Sequence, residues 1–126
     1  MKPVVYDTGV LIAAERGERR VWAEHRLRLE AGYVPLVPAP VVAQASRSPR
    51  QVAMRRFLRG CDAVAFDEPA AHRAGELLGK SRSKDVVDAA VAVLAIERHA
   101  DIISDDAEDI RSLLAAARAR VGLIDV

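Results

Sequence analysis

The chain has 126 residues, 51% of them hydrophobic and only 4% aromatic, with a net charge of +1. That length suits one domain with an aliphatic core and leaves no room for a second. A lone cysteine, Cys61, excludes an internal disulfide and a cysteine-rich zinc site. No leader-like segment or membrane-length apolar run is present, so the expectation is a soluble, cytoplasmic protein with no membrane partner.

Taken in order, Val4-Val5-Tyr6 is an apolar run too short for a helix, and it ends on Asp7. It reads as a buried parallel strand that presents Asp7 at its carboxyl end, where open α/β sheets bind ligands. Gly9 to Ala14 continues as a short helix capped by Asp7 or Thr8 and interrupted at Gly17. Glu18 to Ala31 is a charged amphipathic helix stopped by Gly32. Tyr33 to Val37 is a second strand, with Pro38 and Pro40 marking its exit into a helix that begins at Val41. Pro49 breaks that helix, Arg50 to Arg59 forms another, and Ala63 to Phe66 is a third short strand. Pro69 to Gly79 is helical, and the polar Ser81-Arg82-Ser83 connection leads into Asp85 to His99. The latter is apolar nearly all round and belongs in the middle of the domain. Asp101 to Ser104 is a fourth strand, Ala107 to Arg118 a helix and Val121 to Val126 a last strand. Strands alternate with helices throughout, which predicts an α/β fold with a mostly parallel sheet and right-handed crossovers.

Three acidic features occupy equivalent places in this plan. Asp7 ends the first strand, Asp85 and Asp88 share one face of the first turn of the apolar helix, and Asp105, Asp106 and Asp109 follow the fourth strand. If the first and fourth strands are neighbours, Asp7 and Asp106 leave adjacent strand ends. Clustered carboxylates repel unless a cation neutralises them, and an all-oxygen site suits Mg²⁺ or Mn²⁺. Each pair also has a plainer reading. Asp85 and Asp88 fit a helix cap, Asp109 a helix-dipole partner, and Asp105 a turn residue.

The segments Val5-Tyr6-Asp7-Thr8-Gly9-Val10-Leu11-Ile12, Asp85-Val86-Val87-Asp88-Ala89 and Ile103-Ser104-Asp105-Asp106-Ala107-Glu108-Asp109-Ile110 together resemble the PIN-domain family, and within it the VapC toxin branch. Each motif alone is weak, whereas the ordered set spans essentially the whole chain. The resemblance implies a three-layer α/β/α sandwich with a roughly five-stranded sheet. It further implies a Mg²⁺- or Mn²⁺-dependent endoribonuclease that dimerises and is silenced by a cognate VapB-type antitoxin. Asp7, Asp88 and Asp106 would hold the metal, with Asp85 as a further catalytic acid. Thr8, Gln44, Ser104 and Asp109 would support them. Such a site cuts a phosphodiester without a nucleophilic side chain and leaves 5′-phosphate and 3′-hydroxyl ends.

Gln44 departs from the pattern, since the family commonly supplies a glutamate there. A glutamine carbonyl can orient water but brings no charge and cannot act as a base, which keeps a catalytically weak or binding-only module in view.

Between Arg16 and Arg59 basic residues outnumber acidic ones by about three to one. Lys80, Arg82 and Lys84 precede Asp85, and Arg47, Arg50, Arg55, Arg56 and Arg59 follow Gln44. These are candidates for gripping RNA phosphates, the arginines alternatively an acidic antitoxin tail, or else ordinary solvated faces. His25, His72 and His99 read as surface or packing residues, and Cys61 as inert. A phosphorylation-controlled receiver domain, with Asp67 as acceptor and Ser104 as switch, is the rival from another class. It would call for paired acids after the first strand and a lysine after the last, and neither is present.

Overall fold

The first strand is completely enclosed: β1, Val4–Tyr6, is buried at all three residues. In the computed structural model, which describes residues 2–126, β1 is the centre of a five-stranded sheet. The remaining strands are β2 (Leu36–Pro38), β3 (Asp62–Val64), β4 (Asp101–Ser104) and β5 (Leu123–Asp125), in the order β3-β2-β1-β4-β5. Every pairing is parallel. An uninterrupted apolar run is what such a strand requires, because helices cover both of its faces.

Those helices are α1 (Thr8–Glu15), α2 (Arg19–Glu30), α3 (Ala39–Ala45), α4 (Val52–Leu58), α5 (Glu68–Lys80), α6 (Val86–Arg98) and α7 (Ala107–Ala116). The chain steps outward from β1 to β2 and β3, then returns to lay β4 on the other side of β1. Right-handed crossovers therefore put α1 to α4 on one face and α5 to α7 on the other. The helix contacts agree: α1 packs on α2, α3 and α4, and α6 on α5 and α7. The reversal makes β1 and β4 a topological switch point, with a crevice outside their carboxyl ends.

α6 lies across β1, β2 and β4. Ala89, Ala90, Val91, Ala92, Leu94 and Ala95 are all buried, and their small size lets the helix approach the sheet closely. On the opposite face Phe57 stacks on His25 with ring centroids 3.9 Å apart and meets Trp22 edge-on at 5.0 Å. Burial first, and then the Arg28 charge, lower His25 to about 4, so it is neutral and accepts from the Tyr6 hydroxyl at Nδ1 (2.9 Å). Arg28 in turn donates to the Tyr6 oxygen. His25 is thus a buried packing residue.

The elements arise in the expected order, with shifted ends. β2 starts at Leu36 instead of Tyr33 because Tyr33 N–H closes the end of α2 on the Arg28 carbonyl, with Gly32 at φ +86°. Pro38 is the last residue of β2, and α3 begins at Ala39 with Pro40 in its first turn. α4 is shorter than Arg50 to Arg59 because the Gln51 side-chain Oε1 accepts from the Arg47 and Ser48 N–H groups and holds a turn ahead of it. α7 stops before Arg118, which is left-handed at φ 52°. β3, β5, α5 and α6 differ from expectation by one to two residues at one or both ends. No helix among the described residues is long and apolar enough to cross a membrane.

The close seating of α6 predicts that Ala92→Leu, which forces extra carbons into a fully buried position, destabilises the fold by about 1–3 kcal/mol. A urea midpoint unchanged from wild type would contradict this packing.

Candidate metal centre

β1 and β4 run side by side with Tyr6 opposite Ile103, and Asp7 N–H continues the ladder to the Ile103 carbonyl at 3.0 Å. Asp7 and Ser104 consequently leave adjacent strand ends together. Asp7 caps α1 and is only 4% exposed. Its Oδ1 accepts from Thr8 N–H at 2.8 Å, and its Oδ2 accepts from the Ser104 hydroxyl at 2.7 Å. Ser104 Oγ itself accepts from Asp106 N–H at 2.9 Å. One hydroxyl thereby ties the end of β1 to the start of α7.

The apolar packing of α6 carries Asp88 to the same edge. Asp88 sits one turn into that helix, is 5% exposed, and donates its N–H to Asp85 Oδ1 at 3.0 Å. Asp85 therefore acts as the cap, as its plainer reading held. Asp88 Oδ2 is different: it is buried and, among the described residues, has no hydrogen-bond partner. Asp88, Asp106 and Asp109 each offer a carboxylate oxygen within 4.8 Å of the others. Asp7 is outside that group but lines a cavity of about 170 Å³ with Thr8, Gly9, Ile12, Gln44, Asp85, Asp88, Asp105 and Asp106.

The electrostatics follow from this crowding. Burial raises Asp88 to about 7, with the charges of Asp85, Asp7, Asp106 and Asp109 adding to the effect. Asp7 is also raised by burial, against the lowering effect of its Ser104 and Thr8 hydrogen bonds. Asp106 is raised by desolvation and then by Asp109. A buried carboxylate oxygen without a donor, among like charges, is costly unless a proton or a cation neutralises it. An all-carboxylate donor set is that of a hard divalent cation, so these residues fit one.

Of the sequence-derived set, Asp7, Thr8, Gln44, Asp85, Asp88 and Asp106 line one cavity, Ser104 is bonded to Asp7, and Asp109 joins Asp88 and Asp106. Asp88, Asp106 and Asp109 thus approach one another most closely, and Asp7, expected beside Asp88 and Asp106, lines the same cavity as those two. Gln44 accepts the Thr8 hydroxyl at its Oε1, so its carbonyl is already engaged with the protein. Arg47 Nη1 is occupied by the Ala43 and Ser46 carbonyls at the end of α3, a capping contact. Lys80, Arg82 and Lys84 are exposed, and serine hydroxyls shape their loop: Ser81 accepts from Ser83 N–H and Ser83 from Asp85 N–H. Asp105, read as a turn residue, lies in the cavity, a placement that only its position beside Asp106 hinted at. Asp67 caps α5 and lines a separate cavity with Phe66 and Arg73, which leaves the receiver reading without its acceptor at the acidic site. Burial pushes the Cys61 thiol up to about 12, so it carries no thiolate at neutral pH.

The family model described as PIN domain matches residues 4–114. No curated protein matches the sequence. Among solved structures, the fold is similar to that of VapBC2 from Rickettsia felis bound to a promoter DNA fragment, with TM-score 0.73, 14% identity and 98% of both chains covered. It is also similar to a toxin–antitoxin complex from Klebsiella pneumoniae (TM-score 0.64, 18% identity, 84% of this chain and 88% of that one). FitAcB from Neisseria gonorrhoeae gives TM-score 0.60 at 17% identity, with 96% of both chains covered. At these identities the likeness is one of fold.

Because the folded form holds the Asp88 proton up to about pH 7 and the unfolded chain releases it near pH 4, stability from this group is complete below the unfolded value. It is lost as pH rises through about 7. Thermal unfolding in a chelator should thus show a melting temperature that falls across that window, and Asp88→Asn should flatten the fall. A pH-independent wild-type curve would contradict the electrostatic picture.

Proposed function

The chain belongs to the PIN-domain family, and on that premise we propose that it is a Mg²⁺- or Mn²⁺-dependent endoribonuclease, the toxin of a VapBC-type toxin–antitoxin pair. The observation that carries this reading is the unpartnered, buried Oδ2 of Asp88, a residue that converges with Asp106 and Asp109 at the switch point of a parallel sheet. Asp88, Asp106 and Asp109 would hold the cation, with Asp7 contributing from the same cavity. When bound, the cation supplies the Lewis acid that polarises a phosphodiester and an attacking water.

The protein's own part is to prepare that arrangement. Ser104 fixes Asp7 Oδ2, and Thr8 N–H fixes Oδ1, so this carboxylate cannot swing out to solvent. Asp85 holds the first turn of α6, and with it the height of Asp88. Lys80 at the end of α5, with Arg82 and Lys84 on the exposed loop that leads to Asp85, grips RNA phosphates beside the site. Hydrolysis in this arrangement leaves 5′-phosphate and 3′-hydroxyl ends and makes no use of the 2′-hydroxyl.

The partner in this proposal is a VapB-type antitoxin, in line with the toxin–antitoxin complexes whose fold this chain shares, and the active form is a cytoplasmic homodimer. A second reading, a catalytically weak or binding-only PIN module, is favoured by Gln44, which adds no charge and spends its carbonyl on Thr8.

RNA incubated with purified protein and Mg²⁺ or Mn²⁺ should be cut, and Asp88→Asn should slow cutting by about 100-fold or more while the fold persists. Cleavage that survives chelation or that substitution overturns the nuclease reading. Cation binding without cleavage selects the binding module. Replacing Lys80, Arg82 and Lys84 together by alanine should weaken RNA binding and flatten its salt dependence by about two in logarithmic slope. An unchanged slope places the RNA elsewhere.

A further inference from the structure

We infer that Asp105 is an additional anionic donor to the cation site, acting through water, and that Gly9 is glycine because it gives the Asp105 carboxylate its seat. This rests on the cation-binding reading above. A Cβ built on Gly9 would lie 2.3 Å from Asp105 Oδ1, 2.4 Å from its Cγ and 2.5 Å from its Oδ2. Three near-equal distances mean that the carboxylate lies face-on across the space a Cβ on Gly9 would take, so any side chain there would displace it. Both residues line the acidic cavity.

Carboxylates that cap or close turns elsewhere in the chain bond a local N–H, as Asp67 does with Ala70 N–H at 3.0 Å. Among the described residues Asp105 makes no such bond and no ion pair. It rests instead at the positive end of the α1 helix, a favourable place for an anion. Yet that place adds another negative charge to a cavity already lined by Asp7, Asp85, Asp88 and Asp106. The independent sign of a ligand is Asp88 Oδ2, buried without a partner. Asp105 is outside the group whose oxygens approach within 4.8 Å, so its contact with the same ion runs through coordinated water.

Mn²⁺ binding, followed calorimetrically and by the electron paramagnetic resonance of free Mn²⁺, tests this in wild type, Asp105→Asn, Gly9→Ala, the double variant and Asp88→Asn. Asp105→Asn should raise the dissociation constant by about tenfold, the lower end of what outer-shell partners are worth. Gly9→Ala should do the same with no loss of metal-free thermal stability. The double variant should be no worse than either single one. Wild-type affinity in Asp105→Asn and Gly9→Ala, alongside lost binding in Asp88→Asn, overturns the inference and leaves the metal centre standing. Additive losses in the double variant overturn the link between Gly9 and Asp105. Undiminished binding in Asp88→Asn overturns the metal centre itself, and this inference with it.

Discussion

One buried carboxylate oxygen without a donor governs the rest of this structure. Removing a charge from water and leaving it unpaired costs several kcal/mol, and the charges of Asp85, Asp7, Asp106 and Asp109 make the position worse. Asp88 stays there because it has no freedom to leave. The helix that carries it is apolar nearly all round, and Ala89, Val91, Ala92 and Ala95 seat it against three strands of the sheet. The hydrophobic driving force for docking α6 outweighs the local electrostatic penalty. Stability is spent at the one edge of the sheet where a cation would return it.

The two walls of the cavity are built differently. On one, Asp7 has both oxygens engaged, and the chain of donors from Asp106 N–H through Ser104 to Asp7 links the ends of β1 and β4. On the other, Asp88, Asp106 and Asp109 converge, with at least one oxygen open. A fixed wall sets position, while an open wall offers ligand capacity. That division is what electrostatic preorganisation requires: donors held before the charge arrives.

Much of this was legible in the amino-acid order. The apolar run ending at Asp7, the all-round apolar helix after Asp85 and the acids after Ser104 each have a physical signature that survives without coordinates. Their convergence followed from one assumption, that the strands of Asp7 and Ser104 are neighbours, and the register Tyr6 to Ile103 satisfies it. What escaped was set by tertiary contacts. Asp109 joins the triad because of how α7 leaves Ser104, and Asp105 enters the cavity because Gly9 lacks a side chain. Tyr33 was drawn out of β2 by the cap of α2, and Gln51 shortened α4 by accepting two N–H groups. The sequence left His25 as a surface or a packing residue, and the enclosing Phe57 and Tyr6 decide for packing. No periodicity or propensity in a single chain reports such pairings.

The most direct test of the central claim is a crystal of the protein grown with Mn²⁺, with anomalous scattering used to locate the ion. The account predicts a peak in the acidic cavity within direct coordination distance of Asp88 Oδ2. An empty cavity at millimolar Mn²⁺, with Asp88 Oδ2 satisfied by a protein donor or an ordered water, would contradict it.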